Sequence, residues 1–225
     1  MSAAATAFRI AVPGAGEVSA LLVVPAGARA LYVLAHGAGA GMRHPFLERM
    51  AAVLADGGIG TLRYQFPYME AGTRRVDPPS VAAAAVRAAA VAAASAAPGL
   101  TLIAGGKSFG GRMTSTAQAG APLPGVKGLA FLGFPLHPPG RPGTDRASHL
   151  DSVAVPMLFV QGTRDEFAQL ELLQPVVARL GGRATLHLVE GGDHSFKVPK
   201  RGGRTGGDVD AELAETVARW ANDVL

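Results

Sequence analysis

The stretch from Leu100 to Arg112, LTLIAGGKSFGGR, constrains the fold of this chain more than any other. Its apolar start, residues 100–104, is typical of a buried parallel strand and is followed by two glycines. Residues 106–110, GKSFG, then have the pattern G-x-S-x-G, and helix-compatible residues continue over 111–119. Strand, sharp turn and helix in this order are the context in which the pattern presents a serine at a sheet edge. The sequence therefore predicts an α/β fold that carries Ser108 as a candidate nucleophile.

The turn itself makes further demands on the chain. We expect Ser108 to have a strained backbone, with glycines beside it that let the strand and the helix pack closely. The backbone N–H of Phe109, at the predicted helix start, would point towards a developing oxyanion. Residues 106–108 also resemble the end of a phosphate-binding P-loop, but that motif needs a glycine where Thr101 stands. A chance match remains open, since 30 of the 225 residues are glycine, so the serine needs partners.

The composition predicts one globular α/β domain over residues 1–225. Hydrophobic residues make up 48% and charged residues 17%, which supplies a core and excludes a disordered chain. The lack of cysteine excludes disulfides, thiolate catalysis and cysteine-bound zinc. Residues 1–14 show no basic segment followed by a long apolar run, and the apolar run 81–97 is mostly alanine and contains Arg87. We therefore expect a cytoplasmic protein with no membrane partner.

The net charge of +4 includes one basic cluster in a glycine-rich loop. This cluster consists of Lys197, Lys200, Arg201 and Arg204. Such a loop could steer anionic substrates or contact nucleic acid. No aromatic residues interleave it and no nucleic-acid motif accompanies it, so we expect a solvated loop and no nucleic-acid partner.

Hydrophobic patterning predicts an opening hairpin followed by alternating strands and helices. The predicted strands are 8–12, 18–24, 31–35, 59–64, 100–104, 126–132, 156–161 and 184–189. The predicted helices are 45–56, a helix to about residue 96 that is capped by Ser80, 111–119, 167–180 and 208–225, with irregular segments at 65–79 and 133–150. This order predicts a mostly parallel sheet of about eight strands with helices on both faces and no cap domain.

A serine hydroxyl is a poor nucleophile unless a base accepts its proton and an acid orients that base. Loops at the carboxyl ends of parallel strands share one crevice, so these partners should follow later strands. Asp165 follows the strand 156–161, and His194 follows the strand 184–189. The chain order Ser108, Asp165, His194 is the order found in α/β hydrolases. These three residues are the predicted catalytic set.

Each predicted partner has an alternative. Asp165 could cap the helix that follows it, as aspartate often does. Glu166 and Asp193 are the remaining candidate acids, although Asp193 is too close in sequence to His194 to reach its Nδ1 easily. His187 lies within a predicted strand, where its ring points to a sheet face. The other histidines precede the required region of the chain: His36, His44, His137 and His149.

The loop after the third predicted strand, residues 36–41 (HGAGAG), should supply a second oxyanion donor. The backbone N–H of Ala38, or that of Gly37, fits this role. A dinucleotide-binding G-x-G-x-x-G loop would need a glycine where Met42 stands, so this interpretation is excluded. His36 itself is expected to be structural. The motif H-E-x-x-H is absent and no other spacing is typical of a metal site, so we expect neither a metal nor another cofactor.

Five segments together carry a family resemblance over nearly the whole chain. They are LAHGAGAGM (34–42), GGKSFGGRM (105–113), FPLHPPGRP (134–142), LFVQGTRDEF (158–167) and GGDHSF (191–196). The chain resembles the α/β-hydrolase superfamily, and most of all its small capless branch of dienelactone-hydrolase-like proteins. It is closer still to the hydrolase-like domains of a testis-expressed protein and of a nonspecific-lethal chromatin complex subunit. The resemblance implies a cysteine nucleophile in dienelactone hydrolases, so serine at position 108 argues against diene-lactone chemistry.

These observations predict a serine hydrolase of small carboxylic ester or thioester substrates that uses an acyl-enzyme intermediate. Two alternatives stay open: a non-catalytic interaction module on the same fold, as the chromatin relative implies, and a serine peptidase. The sequence predicts no oligomeric state. The candidate walls of the substrate pocket are Phe66, Tyr68, Leu136, Phe167 and Phe196.

Overall fold

The computed structural model describes residues 4–224, so the predictions for residues 1–3 and for residue 225 lie outside the described residues. Its strands form one eight-stranded sheet in the order β1-β2-β4-β3-β5-β6-β7-β8. The strands are β1 (Thr6–Val12), β2 (Gly16–Val23), β3 (Ala30–Ala35), β4 (Ile59–Tyr64), β5 (Thr101–Lys107), β6 (Val126–Leu132), β7 (Met157–Gly162) and β8 (Ala184–Val189). Strands β1, β2 and β4 pair antiparallel, and β4, β3 and β5 to β8 pair parallel. The predicted mostly parallel sheet is confirmed.

Helices cover both faces of this sheet. They are α1 (Pro45–Asp56), α2 (Pro67–Glu70), α3 (Pro79–Ala96), α4 (Phe109–Gly120), α5 (Leu170–Leu180) and α6 (Gly206–Asp223). Helices α3, α4 and α5 bury their apolar sides in the core on one face, while α1 and α6 do so on the other. Parallel strands covered on both faces are apolar throughout, and all six residues of β3 and of β7 are buried accordingly.

Several helix ends differ from the predictions. Helix α3 begins at Pro79 without a side-chain cap, so Ser80 is not the N-cap. Proline favours the first helical position because its missing N–H would have no helical partner there. Helix α4 begins two residues earlier than expected and α5 three residues later. The two segments predicted to be irregular contain α2 and a 3₁₀ helix, Asp145–Ser152, and within the described residues neither forms a cap domain.

Helix α3 is the one described helix that is long and apolar enough to span a membrane, with a mean hydropathy of 1.4. It is rich in alanine, and its buried alanines and Val86 pack in the core of one sheet face, with contacts to β1 and α4. Alanine has the highest helix propensity, so the composition of α3 also fits a helix packed on a sheet.

The strand register brings the loops that follow β5, β7 and β8 to one edge of the sheet. Lys107 is paired with Leu132, Leu132 with Val160, and Val160 with His187. These four residues lie near the carboxyl ends of four adjacent parallel strands. The segments that follow them therefore surround the same crevice.

Candidate active site

Ser108 lies in the turn between β5 and α4, with a φ of 48° and a ψ of −114°. Among the described residues, Phe196 is the only other non-glycine residue with a positive φ. Few side chains adopt this conformation, because the Cβ then approaches the backbone closely. The turn is therefore strained in the way the sequence predicts, and Ser108 is only half-buried at the sheet edge.

Two glycines of the G-x-S-x-G pattern are required by contacts with the end of β3 and the residue after it. A Cβ on Gly106 would lie 2.2 Å from the carbonyl oxygen of Ala35, and one on Gly110 would lie 2.6 Å from that of His36. Both distances are far below van der Waals contact, so a side chain at Gly106 would push β5, and one at Gly110 would push α4, away from the end of β3. The glycines thus allow the helix to begin immediately after Ser108.

His194 and Asp165 reach Ser108 from the loops after β8 and β7. The Nε2 atom of His194 lies 2.8 Å from Ser108 Oγ. Its Nδ1 atom lies 2.7 Å from Asp165 Oδ2 and 2.9 Å from Oδ1. An ionised carboxylate only accepts hydrogen bonds, so Nδ1 carries the proton and Nε2 accepts from the serine hydroxyl. The structure thus brings the three predicted side chains into one hydrogen-bonded row.

The carboxylate of Asp165 is fully buried and is held by further donors. Its Oδ1 accepts the backbone N–H of Phe167 at 2.8 Å, and its Oδ2 accepts from Gln161 Nε2. Gln161 is itself fixed, because its Oε1 accepts the backbone N–H of Phe134 at 2.9 Å. A buried charge needs such partners to offset the loss of water. The only sequence signal of Gln161 is a polar side chain in the otherwise apolar strand β7, which does not by itself predict a contact with Asp165.

The alternative acids have other contacts. Helix α5 begins at Leu170, so Asp165 does not cap it. The Oδ1 atom of Asp193 accepts two backbone N–H groups of its own loop, at 2.8 and 2.9 Å. Glu166 is exposed to solvent. Of the candidate acids, Asp165 is therefore the one that contacts the His194 ring.

Four other histidines contact groups away from Ser108. His187 Nε2 lies 2.8 Å from Glu212 of α6, and His149 Nε2 lies 2.8 Å from Ser115 of α4. His44 accepts a hydrogen bond at the start of α1. The buried His137 ring contacts the carbonyl oxygen of the residue after it.

His36 is buried and shapes the loop that follows β3. Its Nδ1 donates to the carbonyl oxygen of Gly37 at 2.7 Å, and its Nε2 accepts the backbone N–H of Phe66 at 3.1 Å. Burial lowers the pKa of His36 to about 4, so its ring is neutral at pH 7, as the accepting Nε2 requires. The expectation of a structural His36 agrees with these contacts.

Two of the loop's backbone N–H groups are already engaged. Gly39 donates to the hydroxyl of Tyr68 at 2.8 Å, and Ala40 donates to the carbonyl oxygen of Gly37 at 3.1 Å. Among the hydrogen bonds of residues 4–224, the N–H groups of Gly37 and Ala38 have no acceptor. These two groups are therefore available to a substrate oxygen.

The start of this loop, where the N–H groups of Gly37 and Ala38 lie, is beside the serine turn. A Cβ on Gly37 would lie 3.8 Å from the Cβ of Ser108. Phe109 is the first residue of α4, where backbone N–H groups have no partner within the helix. Unpaired N–H groups therefore occur on two sides of Ser108.

The five candidate pocket residues have different surroundings. Phe66 and Leu136 are fully buried in the core, so neither reaches a substrate in this conformation. Tyr68 is buried, with its hydroxyl on the loop after β3. The ring of Phe167 stacks on the imidazole of the site, with centroids 4.1 Å apart. Phe196 lines a cleft.

This cleft has a volume of about 750 Å³ and lies next to the serine turn: Lys107 lines it, whereas Ser108 and His194 do not. Gly37 also lines it, and the rings of Phe46 and Phe196 form an apolar wall, with centroids 6.0 Å apart. Two members of the basic cluster line it too, the exposed Lys197 and Arg204, whose guanidinium pairs with Glu212. No group of three or more metal-ligating side chains occurs in the part of the chain that the structure describes.

The sheet and the site define the class of protein. A serine on a strained strand-to-helix turn, followed by an aspartate and then a histidine after later strands of a mostly parallel sheet, characterises the α/β-hydrolase fold. The alpha/beta hydrolase domain family matches residues 28–222, and the chain belongs to this family.

Comparisons with known proteins agree with this assignment of the fold. The chain is similar to dienelactone hydrolase from Anabaena variabilis, with a TM-score of 0.79, 20% identity and complete coverage of both chains. It is also similar to XC6422 from Xanthomonas campestris, a serine hydrolase without a lid, with a TM-score of 0.74, 21% identity and coverage of 96% and 94%. At these identities the likeness concerns the fold alone.

A curated relative from Mycobacterium tuberculosis is 31% identical over 192 residues. Its name proposes a phosphoribosyl transferase. The match covers 84% of this chain and 41% of that protein. The chain therefore spans about two fifths of the length of the curated relatives it matches. The closer resemblance to the testis-expressed protein and the chromatin subunit stays a prediction.

Proposed function

We propose that this chain is a serine hydrolase that cleaves small carboxylic ester or thioester bonds. The observation that carries the proposal is the hydrogen-bonded row from Ser108 Oγ through His194 to the buried carboxylate of Asp165. Each atom in this row has the donor or acceptor role that activation of a hydroxyl requires.

In the first half of the proposed reaction, Ser108 Oγ attacks the carbonyl carbon while His194 Nε2 accepts its proton. Asp165 orients the ring and stabilises the imidazolium that forms. The backbone N–H groups of Phe109 and Ala38 donate to the oxyanion of the tetrahedral intermediate. His194 then returns the proton to the leaving alcohol or thiol, the carbon–oxygen or carbon–sulfur bond breaks, and the acyl group stays on Ser108.

In the second half, water takes the place of the serine. His194 accepts a proton from the water, whose oxygen attacks the acyl carbon of the intermediate. Collapse of this second tetrahedral species returns the proton to Ser108 and releases a carboxylic acid. The sequence of steps consumes one water per bond and uses no cofactor.

The cleft of about 750 Å³ adjoins the serine turn through Lys107 and Gly37, and its size is common in pockets for small molecules, which favours a small-molecule substrate. We also propose the expected cytoplasmic location. We do not propose the phosphoribosyl transferase activity in the name of the M. tuberculosis relatives, because this chain matches only 41% of their length.

A serine-reactive fluorophosphonate tests the proposal directly. We expect covalent labelling of Ser108 in the wild-type chain, no labelling of Ser108→Ala, and a loss of kcat for p-nitrophenyl acetate of at least about 10³-fold in that variant. Ser115→Ala is the matched control, because Ser115, a serine of α4, also contacts a histidine ring, that of His149. It should keep both labelling and activity.

The same experiment separates the alternative function. A folded wild-type chain that neither labels nor hydrolyses esters would refute the hydrolase and support a non-catalytic interaction module. If labelling succeeds, a series of esters and thioesters of graded acyl length identifies which bond the enzyme prefers.

A further inference from the structure

Lys107 is the last residue of β5 and directly precedes Ser108, yet its ammonium folds back against the protein. Its Nζ atom donates to the carbonyl oxygen of His194 at 2.5 Å and lies 5.3 Å from the centroid of the Phe196 ring. Lysine ammonium groups usually stay in water, because burial costs free energy unless partners replace the solvent. Apolar packing therefore does not explain why this ammonium lies against the protein.

The space for the ammonium exists because residue 133, just after β6, is glycine. A Cβ on Gly133 would lie 2.8 Å from Lys107 Nζ, 3.5 Å from the His194 carbonyl oxygen and 3.6 Å from Asp165 Oδ2. The ammonium, the carbonyl group and the carboxylate thus converge over one glycine. Lys107 therefore lies close to both partners of Ser108.

The charged groups that face Lys107 are the carboxylates of Asp165, after β7, and Asp193, after β8. Both attract the ammonium, while burial opposes its charge more strongly and lowers the pKa of Lys107 to about 8. The ammonium is consequently present at pH 7 and lost under mildly alkaline conditions.

The loop that carries His194 is strained. Phe196, two residues later, has a φ of 61°, a conformation that bulky side chains rarely adopt. Within the loop, the backbone N–H of Phe196 donates to the carbonyl oxygen of Asp193 at 2.9 Å. Strained conformations persist only where surrounding contacts hold them, and the bond from Lys107 holds the backbone of His194 itself.

We propose that Lys107 is a positioning residue for the reaction of Ser108: its ammonium holds the main chain of His194 while Asp165 holds the ring. The imidazole is then fixed at two points, one on the backbone and one on Nδ1. This inference rests on the proposed hydrolase function. A misplacement of about 1 Å can cost about a hundredfold in rate, so a second attachment has a measurable effect.

Lys107→Met tests the inference, because methionine keeps much of the length and removes the ammonium. We expect kcat for an ester to fall about 10- to 100-fold while KM changes less than about threefold. Lys127→Met is the matched control, since Lys127 is an exposed lysine on β6. In the wild-type chain kcat should also fall above about pH 8 as the ammonium loses its proton, and Lys107→Met should lack this alkaline decrease.

A second measurement does not depend on activity. The proton shared by His194 Nδ1 and Asp165 should give a low-field NMR resonance, which we expect to broaden or shift in Lys107→Met and to persist in Lys127→Met. An unchanged kcat and pH profile would overturn the inference. Lost activity with an unchanged resonance would overturn it as well, because Lys107 would then act on the substrate. If the wild-type chain hydrolyses no ester, the proposed function fails. The resonance alone then still decides whether Lys107 positions His194.

Discussion

Replacing Lys107 by methionine should stabilise the fold at pH 7, although we expect it to slow the reaction. Burial lowers the pKa of this side chain from its ordinary 10.5 to about 8. A pKa shift of one unit corresponds to about 1.4 kcal/mol. The charged ammonium therefore costs the folded state up to about 3 kcal/mol at neutral pH. The variant also loses the hydrogen bond to the His194 carbonyl oxygen, which costs about 1 kcal/mol of stability and offsets part of the gain. We therefore expect a net gain of about 1–2 kcal/mol in the free energy of unfolding.

The pH dependence identifies the cause of this gain. Between about pH 8 and 10.5 the unfolded chain binds a proton at Lys107 that the folded chain has released, so wild-type stability rises with pH. Integration of this difference from pH 7 to 9 gives about 1 kcal/mol. The stability gap between Lys107→Met and the wild-type chain should therefore narrow by about this amount.

Urea unfolding at pH 7 and pH 9 measures this gap, with Lys127→Met as the control for the loss of a lysine charge. A gap that stays constant between the two pH values would refute the reasoning, since the ammonium would then carry no burial cost. A variant less stable than the wild-type chain at pH 7 would refute it too. The first result would mean that partners of the ammonium offset its desolvation, and the second that they outweigh it.

Two further predictions concern the backbone around Ser108. Tyr68→Phe removes the hydroxyl that accepts the Gly39 N–H. Because this loosens the loop that carries the proposed oxyanion donor, kcat should fall about tenfold. An unchanged kcat would show that the hydroxyl does not hold the loop. Gly110→Ala places a Cβ 2.6 Å from a backbone oxygen and should cost at least about 2 kcal/mol of stability in urea unfolding. The control Gly120→Ala, whose Cβ would meet no atom within 4 Å, should instead be neutral or gain up to about 1 kcal/mol; equal effects of the two changes would contradict the steric argument.

The sequence predicted the framework well, because hydrophobic periodicity and glycine or proline boundaries are local signals. Helix α1 and the strands β4, β6 and β8 have the predicted bounds. The misses fall where local signals conflict. Helix α4 starts at Phe109 and so contains two glycines in its first turn, which are explained by the close packing of Gly110 against the end of β3 and of Gly111 against β5.

The meeting of Ser108, Asp165 and His194 followed from topology, since residues after parallel strands share one sheet edge. The pocket walls did not follow, because apolar character is the same in a core residue and in a residue that faces a substrate. Phe66 and Leu136 are core residues, whereas Phe196 lines the cleft. Gln161 and Lys107 were missed for a related reason, since their roles depend on side-chain direction.

The buried carboxylate of Asp165 explains how a chain without a cap domain in its described part keeps this site in place. Its charge has lost water and is stabilised by Gln161 of β7, by a backbone N–H of the next loop and by the His194 ring, with the Lys107 ammonium of β5 nearby. Each of these groups belongs to a strand or to the loop that directly follows one. Moving Gln161, this backbone N–H or the His194 ring would leave the carboxylate short of a hydrogen-bond partner, at a cost of about 1–3 kcal/mol or more. The same donors that stabilise the charge therefore fix the imidazole beside Ser108, and no covering domain is needed to hold it there.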